Sequence, residues 1–171
     1  MGKLSIRDIS TAGVIAAVYV VVSYLLAPIS FGVYQIRIAE ALTVLPFISR
    51  AAIPGLFVGC FLANIFGGNG WVDIVFGSLL TLIAALLTRW IARFADDNTD
   101  RLAAVLPLMF LALLPPVLIN AFGVAAYLAP IIGTNYWFTV QMIGLGQVVA
   151  IYALGLPLLI FLRRRRRSLF R

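Results

Sequence analysis

Residues 38–66 read IAEALTVLPFISRAAIPGLFVGCFLANIF. Arg50 divides them into two apolar runs, Ile38 to Ile48 and Ile53 to Phe66. Each run is shorter than the roughly 20 residues an α-helix needs to cross a bilayer. As separate short, tilted helices they cross twice; merged, they cross once. The choice fixes which side of the membrane everything downstream occupies.

Charge decides between them. Four further apolar stretches flank the pair: Ile9 to Leu26, Trp71 to Phe94, Leu102 to Leu128 and Trp137 to Leu162. They are separated by Pro28, Gly67-Gly68-Asn69-Gly70, an acidic segment from Asp96 to Asp100, and Pro130 to Asn135. With Lys3 and Arg7 inside and six crossings, Arg50, Arg89, Arg93, Arg101, Arg163 to Arg167 and Arg171 also fall inside. Only Arg37 falls outside, so the positive-inside rule holds for the other basic residues. A merged crossing would throw the arginine tail outside. The sequence therefore predicts an all-α integral membrane six-helix bundle. It forms a single transmembrane domain over residues 1–171, multi-pass in the cell membrane, with N- and C-termini cytoplasmic.

Composition agrees. The chain is 63% hydrophobic and 11% charged, with a mean hydropathy of +1.09, whereas soluble domains carry about 25% charged residues. The basic start before Ile9 resembles a leader peptide, but the apolar run is about 18 residues long, enough to span. No small-residue cleavage site stands out before Pro28, so we read it as a retained helix. The net charge of +7 gathers in membrane-flanking arginines, which argues for a cytoplasmic anchor and against nucleic acid.

Several functions are excluded. There is no histidine, and Cys60 is the single cysteine, so disulfides, metal sites and histidine-centred catalysis are not expected. The glycine-rich turn at 67–70 lacks a following Lys-Ser or Lys-Thr and is no phosphate loop. We expect no cofactor and no enzymatic activity.

Polar side chains within lipid are costly, so their placement is informative. Under the six-crossing topology, Glu40 and Asp73 begin helices at the outer side. Asn64, Asn120, Gln141 and Gln147 lie in the same leaflet, and Arg37 precedes Glu40. Aromatics accompany them: Phe31, Tyr34, Trp71, Phe76, Tyr136 and Trp137. The bland reading is an interfacial aromatic belt with helix caps. The functional reading is a polar cup open to the outside, with Arg37, Glu40, Asn64, Asp73, Asn120, Gln141, Gln147, Trp71, Trp137 and Tyr34 as candidate ligand contacts. The cytoplasmic half carries no row of ionisable residues, so such a cup would need help to release its solute inward. Ala12 with Ala16, and Gly13 with Ala17, put small residues at four-residue spacing on the first helix. That suits close packing inside the bundle or a face for a partner.

The segments Ala27-Pro28-Ile29-Ser30-Phe31-Gly32 and Gln35-Ile36-Arg37-Ile38-Ala39-Glu40-Ala41-Leu42-Thr43-Val44-Leu45-Pro46 resemble the signature of the queuosine-precursor transporter (QueT) family. So do Ala52 to Cys60, Leu62-Ala63-Asn64, Asp73 to Leu79 and Leu154 to Leu159. Members are similar to substrate-binding S components of energy-coupling factor (ECF) transporters. The resemblance implies an S-component fold, a transmembrane coupling subunit and two cytoplasmic ATPases as partners. It implies an alanine face, Ala12 and Ala16, docking on the coupling subunit, and a lid-like loop at about Ser30 to Ile36. The implied ligand is a deazaguanine base, 7-aminomethyl-7-deazaguanine, captured from outside. Glu40 and Asp73 would then divide its guanine-like N–H edge and its amine, with the amides filling in and an aromatic stacking on the ring. Arg37 would orient Glu40 or hold the lid. Gln147 departs from a family position that is often acidic. Two alternatives stay open: an S component for another vitamin such as riboflavin or thiamine, and a self-sufficient channel or facilitator.

Overall fold

The structure is a computed structural model and describes residues 5–30, 37–95 and 102–169. All regular structure among the described residues is helical. Four helices are long and apolar enough to cross a membrane: Ile6–Leu25, Asp73–Ala92, Leu102–Ile132 and Tyr136–Arg165. Two shorter apolar helices, Ile38–Phe47 and Ala52–Gly67, stand between the first two of these. In chain order they are called the first (Ile6–Leu25), second (Ile38–Phe47), third (Ala52–Gly67), fourth (Asp73–Ala92), fifth (Leu102–Ile132) and sixth (Tyr136–Arg165) helices. The long helices turn large apolar side chains outward, among them Val14, Leu86, Leu118, Phe122 and Leu145. Lipid is the solvent in which that arrangement is stable.

The first helix starts three residues before its apolar run, because Ser5 and Asp8 form a capping box: Asp8 N donates to Ser5 Oγ at 3.2 Å and Ser5 N to Asp8 Oδ2 at 3.0 Å. These bonds satisfy N–H groups that a helix start leaves bare. Asp8 also meets Arg50 at 3.5 Å, on the exposed turn between the second and third helices.

The second helix differs from a short α-helical crossing. Ile38–Phe47 winds as a 3-10 helix. At about 2 Å rise per residue it reaches about 20 Å, where an α-helix of that length reaches about 15 Å. All its residues except Ile38 and Leu42 are buried. It is a strut inside the bundle, packed on the first, fourth and sixth helices, and lipid touches little of it. Two π-helical segments adjust neighbouring rods, Asp73–Gly77 at the start of the fourth helix and Val149–Gly155 in the sixth.

Glycines set how closely the helices approach. A methyl group at Gly55 would lie 2.7 Å from the Ala12 carbonyl oxygen, and one at Gly59 would lie 3.1 Å from Ala16 Cα. The first and third helices thus meet backbone to backbone through Ala12, Ala16, Gly55 and Gly59, the small-residue packing that membranes favour. Of the two readings of Ala12 and Ala16, close packing inside the bundle is seen here: Ala16 is buried and Ala12 half-buried against the third helix. The exposed small residues of the first helix are Gly13 and Ala17. At the other end of the strut, a methyl at Gly155 would lie 2.8 Å from the Ala41 carbonyl oxygen.

A methyl at Gly59 would also lie 2.9 Å from Tyr19 Cβ. Gly59→Ala is therefore expected to cost about 1–3 kcal/mol by overpacking. A thermal melt of the detergent-solubilised variant should fall below wild type; an unchanged melt would show that the two helices do not meet this way.

Candidate ligand site

The polar side chains of the bundle form two linked groups. The first is built on Asp73, at the mouth of the π-helical turn that opens the fourth helix. Arg37, immediately before the strut, donates from one guanidinium nitrogen to Asp73 Oδ2 at 3.0 Å and Oδ1 at 3.2 Å. Tyr127 Oη, on the fifth helix, donates to Oδ1 at 2.6 Å, and Asn69 Nδ2 to Oδ2 at 3.1 Å. Asn64, on the third helix, accepts from Arg37 at 2.9 Å and donates to the Asp73 carbonyl at 2.8 Å. A carboxylate offers about four acceptor positions, and these contacts fill them. Asn69 reaches Asp73 because Gly68 and Gly70 take φ values of 75° and 86°, which turn the chain sharply.

The second group surrounds Glu40. Tyr19 Oη, from the first helix, donates to Oε1 at 2.5 Å, and Asn120 Nδ2, from the fifth, to Oε2 at 3.2 Å. Thr43 Oγ1 donates to the Glu40 carbonyl at 2.6 Å. Both contacts to the carboxyl group use its oxygens as acceptors.

Between the two groups lies a narrow cleft, with a cavity volume of about 10 Å3, room for about one water molecule. Arg37, Glu40, Thr81, Asn120 and Gln147 give it polar edges, and Gly77, Val124 and Ile143 give it apolar walls. Gln147 is 3% exposed and its Oε1 has no hydrogen-bond partner among the described residues. A buried carbonyl without a donor costs about 1–3 kcal/mol, and a ligand N–H would remove that cost. Gln147 lies eleven residues into the sixth helix, about 16 Å from its start, so the cavity is well inside the bundle. Gly77 is the hinge of the arrangement: a methyl there would lie 2.8 Å from Asn64 Nδ2 and 2.9 Å from Asp73 Oδ1.

Among the described residues, charged and amide side chains from several helices thus meet at one narrow cleft. The sequence model described as QueT transporter matches residues 9–164. The chain belongs to the QueT transporter family. The protein described as queuosine precursor transporter QueT from Lactococcus lactis subsp. cremoris (strain MG1363) is 34% identical over 100 residues, which cover 57% of this chain and 59% of that protein. The chain thus aligns with under two thirds of that relative's length. No solved structure matches. As a member of the QueT family the chain is a multi-pass membrane protein of a transporter family and not an enzyme.

Of the residues singled out in the sequence, the structure brings six together: Arg37, Glu40, Asn64, Asp73, Asn120 and Gln147. Asn64 and Asp73 do not line the cleft, and the Asp73 carboxylate is engaged by Arg37, Tyr127 and Asn69. Three residues lie elsewhere. Trp71 is 69% and Trp137 64% exposed, and Gln141 is exposed too. Trp137 packs edge-on against Tyr136 at 5.2 Å. This is the placement of an interfacial belt, where an amphipathic ring meets both headgroup and tail. Tyr34 and most of the proposed lid fall in residues 31–36, outside the described residues. Tyr19, Tyr127 and Thr81 were missed. The signal for each is one hydroxyl inside an apolar run, which on its own reads as packing.

Asp73→Asn leaves Arg37 buried without its counter-charge and is expected to cost about 3–5 kcal/mol. Glu40→Gln keeps one accepting oxygen for Asn120 Nδ2, while its NH2 can donate to Tyr19 Oη, so it should lose less melting temperature than Asp73→Asn. Equal losses of melting temperature in the two variants would show that Asp73 is no more structural than Glu40.

Proposed function

We propose that this chain is the substrate-capturing S component of an ATP-driven uptake transporter of the energy-coupling factor type, taking a queuosine precursor base from outside the cell. The ligand we propose is 7-aminomethyl-7-deazaguanine. The carrying observation is the narrow, partly open cleft edged by Glu40, Asn120 and Gln147, whose carbonyl has no hydrogen-bond partner among the described residues. Family membership and the printed name of the Lactococcus relative support the ligand class.

The chemistry suits a base. A deazaguanine has two apolar faces, for Val124 and Ile143, and N–H donors at its rim, which the polar side chains of the cleft can accept. The sequence has no nucleotide-binding motif, so energy must come from partners, which we take to be a transmembrane coupling subunit and two cytoplasmic ATPases. In this reading the chain crosses six times with both ends in the cytoplasm, the two short helices each counting as one crossing. The first-helix face of Gly13 and Ala17, beside Ala12 and Ala16, is where the coupling subunit would dock.

Equilibrium binding to purified protein, with 7-aminomethyl-7-deazaguanine, riboflavin and thiamine as probes, tests the reading. Tight binding of the deazaguanine alone is expected. Binding of a vitamin with no deazaguanine binding overturns it in favour of another S component. Fast flux in liposomes without ATPases would make the chain a facilitator.

A further inference from the structure

Glu40 and Asp73 are partnered differently. Arg37 and Asp73 form an ion pair, so their charges cancel. Glu40 is 1% exposed and, among the described residues, is held by the neutral donors Tyr19 and Asn120 and enters no ion pair. Glu40 is thus the acid at the cavity edge that has no ion-pair partner among the described residues. A buried carboxyl group holds a negative charge at low cost only when a cation joins it. Gln147 Oε1, lining the same cavity, is buried and has no hydrogen-bond partner among the described residues. The two groups differ in kind: one is an acid that a cation would charge, and one is a neutral amide.

We propose that Glu40 is the residue that selects a positively charged ligand, receiving its protonated amine, while the Gln147 carbonyl accepts a neutral ring N–H. Asp73, its acceptor positions filled, takes no part in the contact. This rests on the reading of the chain as the capture subunit for a queuosine precursor base, and it settles which of two carboxylates meets the amine. The logic is that of differential binding. A ring carrying a neutral group where the amine stands forgoes the ion pair with Glu40, and that lost contact is the basis of the preference.

The test is a pair of ligands with the same ring and different charge, measured on the full chain in lipid nanodiscs. They are 7-aminomethyl-7-deazaguanine, a cation at neutral pH, and 7-cyano-7-deazaguanine, which is neutral. Wild type should bind the cation at least about tenfold tighter. In Glu40→Gln the two affinities should converge. In Gln147→Leu both should fall by a similar factor with the preference retained. A thermal melt of each variant confirms that it is folded, and the wild-type ratio stands without any variant. Equal wild-type affinities, or a preference that survives Glu40→Gln, would overturn this inference and leave the function standing. Binding of riboflavin with neither deazaguanine bound would overturn the function and this inference together.

Discussion

The buried contact between Arg37 and Asp73 is the constraint around which the rest of the molecule is arranged. Removing two charges from water is costly, and the loss is recovered only when every remaining donor and acceptor finds a partner. That requirement gathers Asn64, Asn69 and Tyr127, and so joins the third, fourth and fifth helices to the residue that opens the strut. It also explains Gly77, which stands where any side chain would strike the network. The π-helical turn from Asp73 to Gly77 lets the aspartate face inward while its carbonyl is taken by Asn64. The network braces one wall of the cavity and leaves the opposite edge to Glu40.

The strut that carries Glu40 is fixed from both sides by close backbone approach. Gly59 lets the first helix bring Tyr19 to the glutamate, and Gly155 lets the sixth helix lie against Ala41 and Val44. Association of helices in lipid gains little from the hydrophobic effect, because the tails are as apolar as leucine. Packing and hydrogen bonding must hold the bundle, and here both act on the same ten residues. A binding residue placed on such an element is rigid without any soluble scaffold.

Much of this was legible in the sequence, for a physical reason. Polar groups in an apolar chain are expensive, so Arg37, Glu40, Asn64, Asp73, Asn120 and Gln147 announced themselves and do meet. The tryptophans did not sort in the same way: an indole at the interface and an indole in a pocket present the same letter. Gln141 and Gln147 are six residues apart on one helix, so they point to different faces, and only the structure shows which faces inward. Tyr19 and Tyr127 hid within apolar runs. The winding of the second helix was not legible either, since ten apolar residues suit an α-helix and a 3-10 helix alike. Ala12 and Ala16 carried the right signal, close helix contact, but the partner is the third helix of the same chain.

In the proposed site structural and functional acids are kept apart: Asp73 is engaged by the fold, and Glu40 at the cleft is the one proposed to meet a ligand. An experimental structure of the protein with its co-purified small molecule tests that division most directly. The account predicts ligand density between Glu40 and Gln147, against Val124 and Ile143, with Arg37 still bound to Asp73. Density bonded to Asp73, with Arg37 displaced from it, would contradict the account.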